Sequence, residues 1–160
     1  MICTHINSLG FFINFSGNIV NAEVNYMTPE KTQQLFDAFP YLYRGRVNPI
    51  EESLMAFGFD CDDGWFDLIY TLSQKIEDAS RASGLEPQSD SWPEAAQVKE
   101  KVGTLRFHLN NRTEMMTSLI SDALEVSAKT CETCGKPGSR VEGRGVKTLC
   151  TNHAKEFIQS

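Results

Sequence analysis

Apolar residues recur every three or four positions in the middle of the chain. This spacing predicts an amphipathic α-helix that begins near Trp65 and ends before Gly84. Such a helix buries one face against a core, while the polar residues in between face water. The predicted buried positions are Phe66, Ile69, Leu72, Ile76 and Ala79.

Two further helices are predicted on either side of this one. Thr28 is a favourable N-cap and Pro29 fits the first helical position, so a helix should begin there and stop before Pro40. Residues 113 to 128 show another apolar pattern of helical period, whereas residues 85 to 93 are rich in Pro and Ser and predict a linker. The inward positions predicted for the last helix are Met116, Leu119, Ile120, Ala123, Leu124 and Ser127.

Around Gly103, apolar residues recur at about every second position instead of every third or fourth. Apolar and polar residues alternate there, which predicts a bent strand or a β-hairpin. Residues 11 to 24 alternate weakly and predict one or two further strands, and residues 94 to 96 fit either a helix or a strand. The hairpin positions expected to face the core are Val98, Val102, Leu105, Phe107 and Leu109.

Together these elements predict an α+β fold, in which helices pack on a short antiparallel hairpin or sheet. A chain of 160 residues, 41% of them hydrophobic, can bury one core and carry a small appended module. We expect an N-terminal extension or edge strands at residues 1 to 28, an α+β core at 29 to 128, and a C-terminal module at 129 to 160.

The C-terminal module contains the clearest chemical motif. Cys131, Cys134, Cys150 and His153 are spaced C-x2-C-x15-C-x2-H. Each pair can bring two ligands to one tetrahedral Zn²⁺, with three thiolates and one imidazole in all. Because four protein ligands leave no position for a catalytic water, we expect one structural zinc ion. A free-thiol cluster or a disulfide pair is the alternative.

The residues between the ligands predict a treble-clef zinc module. Gly135 allows a tight knuckle after Cys134. Residues 139 to 149 fit two short strands around a glycine-rich turn, and the segment after Cys150 has a helical pattern. A knuckle, a hairpin and a helix in this order form a treble clef. The predicted helix would place Cys150 at its N-terminus, where the helix dipole favours a thiolate.

The predicted hairpin before this module also suggests a binding surface. If its apolar residues face the core, the side chains between them lie together on the opposite face. These side chains are Lys99, Lys101, Arg106 and His108. Such a set can bind a phosphate, because arginine donates paired hydrogen bonds and lysines act as point charges. An ordinary solvated strand face is the alternative interpretation, and both stay open at this point.

An acidic cluster precedes the central helix at Asp60, Asp62, Asp63 and Asp67. Its spacing partly matches a loop that binds a hard cation, but the central glycine and the later glutamate of an EF-hand are not in place. Capping of the central helix by Asp62 or Asp63 is the preferred interpretation. Trp65 is expected to be a core or rim aromatic residue.

Charge is distributed unevenly along the chain. The formal net charge is -6, but residues 1 to 96 carry five Lys and Arg against fourteen Asp and Glu, and residues 129 to 160 carry six against three. An acidic protein binds duplex nucleic acid poorly, since affinity there depends on neutralised phosphates. Any contact with nucleic acid or a nucleotide should therefore use the second half of the chain.

Other sequence features favour a cytoplasmic protein. Cys3 and Cys61 are far apart in sequence and have no evident pairing, which fits a reducing compartment. Residues 1 to 20 lack a positively charged start and a long apolar run, so we expect neither a signal peptide nor a membrane helix. A homo-oligomer formed through Phe11, Phe12 and Phe15 is an alternative to burying these side chains in a strand.

Four stretches of the chain resemble a family of small uncharacterised proteins from bacteriophages and prophages. They are residues 58 to 69 with Asp-Gly-Trp at 63 to 65, residues 97 to 107, and the ligand-bearing segments 131 to 138 and 148 to 153. The resemblance covers roughly residues 35 to 155. Members of the family usually have Phe at the position of Val102. The resemblance implies no specific activity, but it implies a protein that acts in the host cytoplasm.

A phage origin favours a binding protein, because small phage proteins without catalytic residues often bind host components. We expect a non-enzymatic protein that binds a host protein or a small anionic, nucleotide-like ligand, and that counters a host defence. A nucleic-acid-binding module acting through the basic second half is the second hypothesis. An enzyme with His108 and Glu100 as acid and base is the third, since no catalytic motif is recognisable.

Overall fold

The computed structural model describes residues 27 to 159, together with the backbone of two short N-terminal strands, β1 (Phe12–Ile13) and β2 (Ile19–Val20). These strands pair antiparallel, with Phe12 opposite Val20. They confirm strand structure within residues 11 to 24. The predictions about Cys3, Phe11 and Phe15 concern positions outside the described residues.

Residues 27 to 159 contain four α-helices: α1 (Pro29–Ala38), α2 (Phe66–Ala82), α3 (Glu114–Ser127) and α4 (Thr151–Gln159). Proline occupies the first position of α1, as predicted, and the helix ends before Pro40, which cannot donate a helical hydrogen bond. Thr113 caps α3, because its hydroxyl accepts a hydrogen bond from the Met116 amide at 3.3 Å. No helix in this part of the chain is long and apolar enough to cross a membrane.

A three-stranded mixed sheet lies beside the helices. Strand β3 (Phe59–Asp60) runs parallel to β4 (Glu94–Lys101), and β4 pairs antiparallel with β5 (Thr104–Asn110). The ambiguous residues 94 to 96 are therefore strand, with a register shift between Ala95 and Gln97. Helices packed on a small sheet confirm the predicted α+β class.

The core lies between one face of this sheet and the first three helices. Tyr43 is fully buried, packs edge-on against Phe59 with ring centroids 5.1 Å apart, and hydrogen-bonds through its hydroxyl to Ser73 at 2.6 Å. Most positions predicted to be buried are buried, and Phe66, Leu119, Ile120 and Leu124 are half-buried. The confirmed buried positions are Ile69, Leu72, Ile76, Ala79, Val98, Leu105, Phe107, Leu109, Met116, Ala123 and Ser127.

The prediction that Val102 faces the core is wrong. Val102 and Gly103 form the two-residue turn between β4 and β5, and Val102 is 49% exposed. Both residues have positive φ angles, 56° and 77°, which is the geometry of a type I′ hairpin turn. The alternation of apolar residues continues past the end of β4 into Val102, so the sequence pattern did not show where the turn begins. A β-branched residue at such a φ is unusual and costs energy.

The C-terminal residues form the predicted treble-clef arrangement. A knuckle at residues 131 to 135 is followed by a hairpin of β6 (Ser139–Glu142) and β7 (Val146–Leu149), and then by α4. The knuckle is closed by the Gly135 amide, which donates to the Cys131 carbonyl at 2.8 Å. Gly135 has a φ of 73°, so the turn depends on glycine. The division of the chain at residues 28 and 128 stays a prediction.

Candidate metal centre and basic hairpin face

The fold brings the four predicted ligands together. Their ligand atoms all lie within 4.8 Å of one another. The knuckle supplies Cys131 and Cys134, whereas Cys150 lies at the end of β7 and His153 in the first turn of α4. Cys131 is buried, and Cys134 is exposed, so the centre lies at the surface with one side closed.

The distances between these atoms fit tetrahedral zinc. With Zn–S bonds of about 2.3 Å and Zn–N bonds of about 2.0 Å, tetrahedral edges are about 3.8 Å between sulfurs and about 3.5 Å between sulfur and nitrogen. The Cys134 and Cys150 sulfurs are 3.8 Å apart. His153 Nδ1 lies 3.4 Å from the Cys131 sulfur and 3.3 Å from that of Cys150. Three thiolates and one imidazole are also a donor set that zinc prefers, so the residues fit one ion.

Backbone amides favour the thiolate form at this centre. The amide of His153, followed by smaller contributions that include the Asn152 amide, lowers the pKa of Cys150 to about 6. These amides belong to the first turn of α4, where helical N–H groups have no partner within the helix. A bound zinc ion would cross-link the knuckle to α4, which is the role of a structural metal.

The Asp-Gly-Trp segment packs directly against the knuckle. The Gly64 amide donates to the Glu132 carbonyl at 2.7 Å, and Trp65 is fully buried with its Nε1 donating to the Thr130 carbonyl at 2.9 Å. A Cβ atom at Gly64 would overlap the carbonyl oxygens of Cys131 and Glu132. Only glycine fits this close approach of two backbones.

Asp62, Glu132 and Lys147 form a charge cluster in the same interface. The Lys147 ammonium lies 3.4 Å from Asp62 Oδ2 and 3.3 Å from Glu132 Oε2, although the second contact lacks hydrogen-bond geometry. Glu132 is only 1% exposed, and its other oxygen accepts from the Asp62 amide at 3.2 Å. Burial raises the pKa of Glu132 to about 7, although Lys147 opposes the shift.

The prediction that Asp62 or Asp63 caps α2 is wrong. Neither side chain hydrogen-bonds to the start of α2 or to the short helical turn before it. Asp63 instead accepts from the Thr28 amide at 2.8 Å and lies 3.7 Å from the Lys31 ammonium, so it joins the start of α1. Asp62 faces the C-terminal module. Sequence spacing shows only local neighbours, so it favoured a cap. The observed partners are far along the chain: Thr28 is 35 residues from Asp63, and Lys147 is 85 residues from Asp62.

The hairpin brings its four predicted cationic side chains to one face. Lys99 is directly opposite Arg106, and His108 is opposite Gln97 on the same side of the sheet. Lys101 follows Lys99 by one pleat repeat. Apart from the Arg106 guanidinium, which donates to Thr104 Oγ1 at 2.7 Å and to its neighbour's carbonyl, the described residues offer these cations no hydrogen-bond partner.

Arg112 is a fifth cation near this face that the sequence patterns did not indicate. Partial burial is the largest cause that lowers the pKa of His108, followed by the charges of Lys99, Arg106, Arg112 and Lys101. Arg112 follows the end of β5, so its approach to His108 is set by the chain direction after the strand. Its position two residues beyond the end of β5 was a weak signal in the sequence.

Two carboxylates, Asp60 and Glu100, lie near the basic face, but on different sides of the sheet. Asp60 lies beside Lys99 on the parallel strand β3 and so limits the positive surface on that side. Glu100 is opposite Leu105, on the core-facing side, and accepts a hydrogen bond from the Gly103 amide. Glu100 and His108 therefore point to opposite sides of the sheet and do not form an acid and base pair.

Comparisons of the chain with protein-family models, with curated proteins and with solved structures found no match. The geometry of the metal centre and of the hairpin face is therefore the basis for any functional conclusion.

Proposed function

We propose that this protein is a non-enzymatic, zinc-stabilised accessory protein that binds a small anionic, nucleotide-like ligand or an acidic host factor through the basic face of the β4–β5 hairpin. The basic face consists of Lys99, Lys101, Arg106 and His108, and Arg112 follows it after the end of β5. The observation that carries the proposal is that the four hairpin cations share one surface and form no salt bridge with any described residue, although Asp60 lies beside Lys99. Cations concentrated in this way repel one another until an anion binds.

The spacing of the cations suggests which anions fit. Side chains opposite each other on paired strands have Cβ atoms about 5 Å apart, so Lys99 and Arg106 can contact one phosphate together. Lys101 and His108 lie one pleat repeat, about 6.7 Å, to either side of that pair. A ligand with two separate phosphate groups therefore uses the face better than a single phosphate does.

Other features support binding rather than catalysis. His108 lies among cations, and Glu100 points to the other side of the sheet. The candidate zinc centre has four protein ligands, which fits a structural ion. The resemblance to phage proteins suggests that the ligand is a host component, such as a signalling nucleotide used in defence.

Titration calorimetry with adenosine 3′,5′-bisphosphate, adenosine 5′-monophosphate and adenosine tests the proposal. We expect affinity to decrease in that order, because each step removes one phosphate. Lys99→Ala with Arg106→Ala should weaken bisphosphate binding by about tenfold or more, since charge-assisted hydrogen bonds are each worth about 1.5 to 3 kcal/mol. Lys75→Ala with Lys155→Ala removes the same charge elsewhere and should leave affinity unchanged. Equal binding by the two double variants would overturn the proposal.

Nucleic acid is the second candidate ligand. The C-terminal module carries exposed cations at Lys136, Arg140, Arg144 and Lys155, beyond those of the basic face. A single-stranded oligonucleotide that spans both regions would show affinity that falls steeply with salt concentration. A steep salt dependence, with equal losses from the two double variants above, would favour this alternative over capture of a small ligand.

A further inference from the structure

The tip of the β4–β5 hairpin is held by the metal-binding module. Thr148 donates a hydrogen bond from its hydroxyl to the Gly103 carbonyl at 2.6 Å. Thr148 is 1% exposed, so water does not compete easily for this bond. A Cβ atom at Gly103 would lie 3.2 Å from the Thr148 hydroxyl and 3.3 Å from the Lys147 carbonyl carbon. The turn therefore fits closely against β7.

The turn is supported both from within the hairpin and from the C-terminal module. Val102 has a φ of 56°, in the left-handed region that β-branched residues rarely adopt. Its side chain is largely exposed and contributes little packing that would compensate. The Glu100 carboxylate supports the turn from within the hairpin by accepting from the Gly103 amide, and the Thr148 hydroxyl supports it from outside.

Thr148 in turn is positioned by the residues around the metal centre. It precedes Cys150 by two residues on β7, and its own carbonyl accepts from the Glu132 amide at 2.9 Å. Glu132 directly follows Cys131 in the knuckle. The two segments that carry the ligands thus meet at Thr148. A metal ion that joins the segments also fixes the position of the Thr148 hydroxyl.

The same hairpin carries the basic face. Lys101 is opposite Thr104 in the pair next to the turn, and Lys99 is opposite Arg106 two residue pairs further along. A hairpin released at its tip frays from the turn inward, so Lys101 moves first, then Lys99 and Arg106. His108 lies farther from the turn and should be affected least.

We propose that metal binding at the Cys131, Cys134, Cys150 and His153 centre and anion binding at the basic face are coupled through the contact between Thr148 and Gly103. The anion-binding half of this inference rests on the proposed function. Coupling of this kind is reciprocal, so an anion on the basic face also strengthens retention of the metal. A single buried hydrogen bond corresponds to an effect of about three- to tenfold on either equilibrium.

Hydrogen exchange on the zinc-loaded full-length protein tests whether the Thr148 hydroxyl stabilises the hairpin turn. Thr148→Val keeps the shape of the side chain and all four ligands but removes the hydroxyl. We expect amides of residues 101 to 105 to exchange about three- to tenfold faster, while residues 94 to 98 keep their protection. Thr133→Val is the control, because it removes a 3.2 Å hydrogen bond from the same module to Asp62 instead of to the hairpin. Unchanged exchange at the tip in Thr148→Val would overturn the coupling.

Binding of adenosine 3′,5′-bisphosphate tests whether the contact between Thr148 and Gly103 affects anion binding. Zinc content is measured in every sample. The coupling predicts about three- to tenfold weaker binding by Thr148→Val and unchanged binding by Thr133→Val, both with one zinc per chain. If the wild-type protein binds and Thr148→Val binds equally well, the coupling is wrong and the proposed function stands. If the wild-type protein does not bind the bisphosphate, the proposed ligand and the anion half of the coupling both fail.

Discussion

The interface between the metal-binding module and the core contrasts with the basic face of the hairpin. At the interface, polar groups of the two parts pair: Gly64, Trp65 and Gly103 bond to the module, and Lys147 lies between two carboxylates. On the basic face, the neighbouring cations form no salt bridge with any described residue, and Asp60 is the carboxylate that lies beside them. Hydrogen bonds across the interface reduce the cost of burying its polar groups, whereas the cations of the basic face repel one another.

The structure gives two of the sequence motifs a role in packing. The Asp-Gly-Trp segment and Gly103 both lie in the stretches that resemble the phage family. In the structure, each contacts the C-terminal module at a point where a side chain would not fit or would fit tightly. These motifs therefore specify how three segments pack together.

Loss of a metal ligand should have the largest effect. We expect Cys131→Ser to abolish stoichiometric zinc binding and to lower the free energy of unfolding by about 5 kcal/mol or more, because metal binding and folding of such modules are coupled. Cys61→Ala, at a buried thiol outside the centre, should keep one zinc per chain. Elemental analysis and denaturation followed by tryptophan fluorescence measure both quantities. Full zinc content in Cys131→Ser would contradict the assigned ligand set.

The packing of Gly64 against the knuckle should have the next largest effect. Gly64→Ala places a methyl group against three backbone atoms that cannot rotate away, so we expect a loss of about 3 kcal/mol in chemical denaturation. Gly145→Ala is the matched control, because no atom lies within 4 Å of the position that its methyl group would take, and its effect should stay within about 0.5 kcal/mol. Similar stabilities for the two variants would show that the interface is looser than described.

The electrostatics of the basic face should produce the smallest effect. The pKa of His108 is lowered from 6.5 by partial burial and by neighbouring cations, so the unfolded chain binds its proton more readily. The stability that His108 contributes is complete above pH 6.5 and is lost as the pH falls through 6.5 towards the lowered pKa. In NMR titrations, Lys99→Ala should raise the pKa of His108, whereas Lys75→Ala should not. A pKa of His108 that is not lowered in the wild-type protein would contradict the effect of the neighbouring cations.

Much of the fold follows from local sequence patterns. The period of apolar residues predicted α2 and α3, the Thr28-Pro29 pair predicted the start of α1, and the ligand spacing predicted the knuckle, hairpin and helix. Local patterns failed where a turn or a distant partner decided the outcome. Val102 continued an alternation that the chain had already ended, and Asp62 and Asp63 resembled caps while their partners lay far along the chain.

The sequence by itself determined the α+β class, the set of candidate metal ligands and the side of the hairpin on which the cations lie. These properties depend on short-range periodicity and spacing, which a single segment expresses alone. Only the tertiary structure decided that Gly64 and Gly103 contact the C-terminal module, that the charge of Arg112 acts on His108, and that Glu100 and His108 are apart. Such relations depend on how close distant segments approach, because close packing leaves room for only some side chains.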